Sequence, residues 1–458
     1  MSNSPPPITP PATPAGLPRR FVLFLGPLVL TNVLQAASGT FNGVFLGQML
    51  GPLALAAAVA FFPILMLFFA FVIGLGTGAS ILVGQAWGAN QPDKVRDIAG
   101  TVLLGGAALG MVIAVAGWVV VPPLLRGLGT PVDVLPQAVA YAHVMLLALP
   151  VMFVSMLAAA LLRGLGDTVT PLGVLVVTCA VSAVLTPALI SGRLGLAPLG
   201  VASAGWATLV ATTLALVWLG WRLTRRSHLL APAALRGRLR WRADLLRPVA
   251  RLGVPTGLFF VTGSLADVGL LSLVNQHGAS AVAAWGAVQQ VTAYVQFPAM
   301  SIAIASSVFA AQAIGAGQPA MLHQVTRVGL VMNLLLTGSL AVGVAALAPL
   351  AVRIFTSDAE VVALGTHLLR ISVWGSLLLG VGSVFSGVMR AAGTVREPML
   401  ISLGCLALLQ FPVGWAFDRA LGIQGLWFTY LVTYGCGAAL QAAFYWLVWR
   451  KRPVRRLV

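Results

Sequence analysis

The sequence predicts an all-α polytopic membrane protein with twelve transmembrane helices in two parallel six-helix repeats. Three observations carry that expectation. The 458-residue chain is 59% hydrophobic and only 8% charged, where soluble domains run to about a quarter charged. Apolar runs recur along the whole length, most of them long enough to cross a hydrocarbon core of about 30 Å. Distinctive short segments also return at one fixed spacing.

In chain order the runs fall near 21–48, 53–86, 95–121, 135–162, 170–191 and 200–222, then 250–275, 280–313, 325–348, 366–389, 398–418 and 424–449. They are continuous rather than alternating, so the backbone must satisfy itself as helices and not as a lipid-facing barrel. Residues 1–18, "MSNSPPPITPPATPAGLP", form a proline-rich tail without the basic start and short apolar core of a signal peptide. The expected organisation is that tail, a first bundle over 19–222, a basic linker over 223–247, a second bundle over 248–450 and a basic tail over 451–458.

The net charge of +17 could point to nucleic acid, but the basic residues are sorted by loop. If the N-terminus is cytoplasmic, 22 of the 27 lysines and arginines fall on that side. Only Arg126, Arg193, Arg353, Arg370 and Arg419 fall opposite. This asymmetry predicts a multi-pass protein of the cytoplasmic (inner) membrane with both termini in the cytoplasm, and no nucleic-acid partner. The linker, rich in arginine with Trp241 among them, reads as a solvated loop or an interfacial helix on anionic lipid. Cys179, Cys405 and Cys436 lie in predicted helices without metal-type spacing and read as buried small apolar residues.

"GQAWGANQP" (Gly84–Pro92) and "AQAIGAGQP" (Ala311–Pro319) agree at six of nine positions, 227 residues apart. "GPLALAA" (51–57) pairs with "GASAVAA" (278–284), and "LLRGLGDTVTP" (161–171) with "VMRAAGTVREP" (388–398), at the same offset. A constant offset across three pairs marks a duplication. Each half has six spans, an even number, so both halves insert the same way up, and their pathway is expected between them.

With these segments in place, the chain resembles the MATE (multidrug and toxic compound extrusion) transporters. The Gln85–Gly88 and Gln312–Gly315 segments resemble that family's G-Q-x-x-G-A signature, and the Arg163 and Arg390 segments its R-G-x-G-[DN]-x-x-x-P turn. "FNGVFLGQMLGPLALAA" resembles its first-helix pattern. The resemblance covers nearly the whole chain and implies a cation-coupled exporter without an enzymatic reaction. It also implies that Asn42 stands where many members carry a first-helix aspartate used in ion coupling. An amide carries no proton, though its oxygen can still ligate a cation.

The motif residues have a structural reading of their own. Gly88 and Gly315 can take the left-handed conformation that ends a helix, with Pro92 and Pro319 blocking its resumption. Gln85 and Gln312 can bond carbonyls at that end or tie it to a neighbour. Arg163 and Arg390 are cations at helix C-termini, favourable to the dipole.

Candidate functional residues are those whose polarity survives in the apolar spans. Asp267, in "GLFFVTGSLADVGLLSLVNQ", is the one acid at a predicted helix centre, costing about 2.5–3.5 kcal/mol on insertion scales. It is the candidate ion-coupling residue, with Asn42 beside it in that role. On the first helix Thr31, Gln35, Ser38 and Asn42 form a helical stripe next to Asn32. On the eighth, Gln289, Thr292 and Gln296 share one face, with Gln290 and Tyr294 adjacent. Asn32, Gln35, Gln289, Thr292, Tyr294 and Gln296 are therefore the substrate-binding candidates.

The expected function is H⁺- or Na⁺-coupled export of organic, cationic or amphipathic compounds by alternating access, as a monomer in the bilayer, with no cofactor and no bound metal. A lone acid favours H⁺. The alternative within the same fold is a lipid-linked precursor flippase, which the lack of arginines at helix centres disfavours. No H-E-x-x-H, paired intramembrane aspartates or G-x-S-x-G supports an intramembrane enzyme.

Overall fold

The computed structural model describes residues 16–192, 199–454 and 456–457. The first fifteen residues of the expected tail lie outside the described residues, as do Arg193 and Arg455. Twelve helices among the described residues are long and apolar enough to span a membrane. They are α1 (Leu17–Leu50), α2 (Pro52–Gly88), α3 (Pro92–Gly127), α4 (Leu135–Gly164), α5 (Val169–Ile190), α6 (Ala202–Arg225), α7 (Ala243–His277), α8 (Ala279–Gly315), α9 (Met321–Ala346), α10 (Ala359–Ala391), α11 (Arg396–Leu421) and α12 (Ile423–Lys451).

Each expected span has its helix, and several start earlier than the apolar run. Leu17 and Pro18, expected in the tail, open α1, because a proline in the first turn lacks an N–H that had no partner there anyway. Helix α10 begins at Ala359, where the Asp358 carboxylate accepts the Val361 N–H at 3.1 Å. Helix α7 begins at Ala243, carrying Asp244, Arg247 and Arg251 ahead of the apolar stretch. The linker is thus only 226–242.

Contacts divide the described chain into two compact units, 30–83 with 91–253, and 17–29 with 84–90 and 254–457. The division follows Gly253, close to the expected boundary, but the start of α1 and the end of α2 group with the second unit.

In the first unit α3 packs on α4, α4 on α6, and α5 on α6. Glycines set the spacing: a Cβ built on Gly110 would stand 2.6 Å from Pro150 Cα, and one on Gly253 2.6 Å from the Gly74 carbonyl oxygen. The linker is a largely exposed loop, as the first of its two readings had it, and not a long interfacial helix. It holds one short helix, Pro232–Leu235, and is clamped to α3. Arg238 pairs with Asp97 at 2.8 Å and Asp93 at 3.0 Å, Arg242 reaches Asp97 at 3.0 Å, and the Thr101 hydroxyl donates to the Arg240 carbonyl at 3.2 Å. Mutual attraction holds both guanidinium pKa values above their ordinary range, led by the hydrogen bond to Asp97 for Arg238 and to Asp244 for Arg242. Three acidic groups therefore answer part of the basic run.

In the second unit α10 packs against α8 and α12, and α11 against α12. Trp285, Trp427 and Tyr430 sit in a core with Leu270, Val274, Leu369 and Val373. The repeated motif crosses itself here. A Cβ on Gly88 would run into the Gln312 carbonyl, and one on Gly315 into the Gln85 carbonyl. This corrects the expected role of these glycines: the left-handed residues are Asn90 (φ 57°) and Gly317 (φ 74°), two positions later. Gly88 and Gly315 instead permit backbone-on-backbone contact. Gln85, 0% exposed, donates to the Ala391 carbonyl at 2.7 Å, and its Oε1 accepts the Leu457 N–H at 2.7 Å.

Two helices of this unit widen locally to π-helical turns, Asn333–Thr337 in α9 and Cys405–Gln410 in α11. The second lies just before Pro412, which lacks an N–H and crowds the preceding turn.

Two outcomes follow. Gly88→Ala should lower the thermal-unfolding midpoint in detergent, at a cost of about 1–3 kcal/mol for overpacking. Gly286→Ala, where an added Cβ meets nothing within 4 Å, should not. The second outcome concerns His228, just past α6. Burial holds its pKa below the ordinary 6.5, with Arg226 adding to the effect and Asp167 opposing it, and its Nδ1 accepts the Leu230 N–H at 3.1 Å. A pKa lower in the folded state gives stability that is complete above 6.5 and lost as pH falls through the folded value. Melting scans should therefore show wild type losing more stability below pH 6.5 than His228→Gln.

Candidate functional site

Asp267 lies half-buried in the middle of α7. Small residues bring α11 against it. A Cβ on Gly269 would stand 3.1 Å from Phe411 Cδ2, and one on Gly414 2.6 Å from Leu270 Cδ2. That approach delivers Gln410, 0% exposed, whose Nε2 donates to Asp267 Oδ1 at 3.0 Å. The Tyr430 hydroxyl from α12 donates to the same oxygen at 3.0 Å. Gln289 Nε2, from α8, donates to that hydroxyl at 3.2 Å. The Tyr430 ring is flanked by Trp285 and Tyr434, each 5.8 Å away between centroids. Four helices thus converge on one carboxyl, and no salt bridge among the described residues includes it.

Of the eighth-helix candidates, only Gln289 joins this cluster. Thr292 is buried with its hydroxyl unpartnered among the described residues, Gln296 is half-buried, and Tyr294 is 40% exposed with its ring against Phe297 at 5.6 Å. The expected polar wall is therefore split, because α8 turns Thr292 into helix packing and Tyr294 outward. The first-helix candidates belong to the first unit, where Asn32 and Asn42 are half-buried and Gln35 is exposed. Cys436, expected to be buried, is exposed.

The motif arginines end their helices, and both are half-buried. Arg390 Nη1 donates to Thr256 Oγ1 at 2.7 Å and its Nε to the Ser386 carbonyl at 3.4 Å. It reaches a cavity of about 80 Å³ between α7, α10, α11 and α12, with Ser402, Thr433, Tyr434 and Gln441 among its lining.

Tyr430 and Gln410 were not among the sequence candidates. Gln410 carried a signal, an amide deep in the apolar run "CLALLQFPVG". Tyr430 carried none, because an aromatic residue in a span reads equally as core.

The MatE family model matches residues 27–188 and again 255–416, in keeping with the duplication. The chain belongs to this family. It is 36% identical over 443 residues to the "Probable multidrug resistance protein YoeA" of Bacillus subtilis (strain 168), covering 96% of each. It is 25% identical to an "FAD transporter" of Shewanella oneidensis, covering 87% of each. Among solved structures, a mutant form of the Vibrio cholerae MATE transporter VcmN superposes with a TM-score of 0.88 at 21% identity, over 96% of this chain and 99% of that one. At that identity the likeness speaks for the fold. With its twelve candidate spans, this MATE-family chain is a multi-pass membrane protein.

Proposed function

We propose that this MATE-family protein is a cation-coupled antiporter that exports organic cationic or amphipathic compounds by alternating access. A Bacillus relative named for multidrug resistance, similar end to end, supports the substrate class. The observation that carries the coupling is Asp267, a carboxyl inside a spanning helix with two donors on one oxygen and no basic partner among the salt bridges of the described residues. An intramembrane acid is expensive to keep, and a group that alternates between charged and neutral forms is the use that warrants it. Asn42 is assigned at most a secondary part, through its oxygen. The working arrangement is a monomer in the cytoplasmic membrane with both termini inside, as the basic loops favour.

A second reading, an anionic cargo, is favoured by the relative named an FAD transporter and by Arg390 at its cavity. The Arg390 guanidinium is already held by Thr256 and Ser386, so cationic export remains the leading proposal.

Proteoliposomes loaded with ethidium, under an imposed pH or Na⁺ gradient, test both readings. Wild type should accelerate efflux under one gradient and Asp267→Asn under neither. Gradient-driven movement of FAD without ethidium efflux would replace the cationic reading with the anionic one.

A further inference from the structure

The Asp267 cluster leaves one polar atom unexplained. Gln410 is fully buried, and its Nε2 is spent on Asp267 Oδ1, yet its Oε1 has no hydrogen-bond partner among the described residues. A buried acceptor left without a donor is costly, and such an atom in a native structure calls for an explanation.

The chemistry of the pair supplies one. A primary amide and a carboxylic acid join at two points, the amide N–H on the carbonyl oxygen and the acid O–H on the amide oxygen. The first half of that pairing is present at 3.0 Å. The second needs a hydrogen on Asp267 Oδ2, which only the protonated acid has.

We propose that Gln410 is a positioning residue that distinguishes the two protonation states of Asp267, and that the ion taken there is a proton. The inference rests on the reading of Asp267 as the coupling group. When Oδ2 takes a proton from water, the new O–H donates to Gln410 Oε1, Tyr430 keeps its own proton on its bond to Oδ1, and no other bond changes. When the proton leaves, the amide oxygen loses its donor and faces a carboxylate, so the amide must turn or withdraw.

The same geometry disfavours sodium. A hard cation needs a shell of oxygen acceptors. Here Oδ1 is already covered by an N–H and an O–H, both aimed at the carboxyl. The titratable groups facing Asp267 from the packed helices are Tyr430 and Tyr434 of α12, while α8 and α11 present the neutral amides Gln289 and Gln410. Gln410 also stands at the end of the widened turn of α11, where the backbone departs from regular α-helix.

The test uses the full chain in lipid nanodiscs, followed by infrared difference spectroscopy across a pH titration, with ethidium efflux from proteoliposomes in parallel. The band to watch is the carboxylic C=O stretch that Asp267→Asn removes. In Gln410→Met, of similar volume but with no amide, that band should move to higher frequency, and pH-driven efflux should fall about tenfold, as expected for one lost hydrogen bond. Gln410→Asn, which keeps an amide on a shorter stem, should recover part of both and shows that loss in Gln410→Met is not misfolding. A Na⁺ gradient at matched pH should change neither readout.

An unshifted band in folded Gln410→Met overturns the role given to Gln410. Efflux driven by Na⁺ alone, or displacement of the band by Na⁺ at fixed pH, overturns the proton. A different failure, no carboxyl band lost and efflux unchanged in Asp267→Asn, would remove the reading of Asp267 beneath both.

Discussion

Hydrocarbon offers no hydrogen bonds, so every polar group this chain carries into the bilayer must be answered from within the chain. Helices answer their own backbone except at their ends, where the last carbonyls have no partner one turn further on. The repeated motif sits at those ends. In the second unit Gln85 is buried among protein atoms, its amide nitrogen on the Ala391 carbonyl at the end of α10 and its oxygen on the Leu457 N–H. One side chain thereby satisfies a stranded acceptor and a stranded donor from two other segments. The glycines beside it make this possible, since Gly88 and Gly315 remove the side chains that would keep the crossing backbones apart.

Duplication supplies a frame, and the units then diverge inside it. Gly106 of α3, packed against Leu157, has Asn333 as its counterpart in α9 at the motif offset. The Asn333 amide donates to the Leu377 carbonyl at 3.0 Å, and its oxygen lies against Gly380. Met145 and Leu149 of α4 correspond to Ser372 and Ser376 of α10, both buried. Close apolar packing in one unit is thus replaced by polar packing in the other. A π-helical turn at Asn333–Thr337 coincides with the change. Beyond that turn the buried Ala341, Ala348 and Val352 still stand at the motif offset from the buried Ala114, Val121 and Leu125, so the duplicated register is kept through it.

Much of the frame was legible in the sequence because bilayer thickness and internal duplication are long-range signals that no single contact can alter. Span number and repeat pairing came from such signals, and the cost of an acid in a span is what singled out Asp267 as a candidate. The misreadings have local causes. The left-handed turn falls on Asn90 and Gly317 rather than Gly88 and Gly315, since the crossing of two helices, invisible in one strand of sequence, had first claim on the smallest residue. The linker's clamp on α3 could not be read because its partners, Asp93 and Asp97, lie some 140 residues upstream of Arg238 and Arg242. Thr292 and Tyr294 read as a polar wall because helical periodicity locates a face but not what that face meets. Gln410 and Tyr430 reach Asp267 only through packing of α7, α11 and α12, for which the glycines at 269 and 414 were an ambiguous hint.

The economy of the Asp267 cluster fits the work proposed for it. A proton gradient of one pH unit supplies about 1.4 kcal/mol per proton. A neutral hydrogen bond contributes about 1 kcal/mol net, so bonds such as those from Gln410, Tyr430 and Gln289 are commensurate with the driving force and can be made or broken within a transport cycle. A buried partner of opposite charge would be another matter, because separating such a pair costs about 3–5 kcal/mol and would pin the carboxyl in its ionised form. An amide and a phenol, the phenol itself held by a second amide on a third helix, hold Asp267 firmly enough to place it and weakly enough to let its charge change. Because those helices also pack on one another, any change in the carboxyl's bonding acts directly on their packing, with no longer path required.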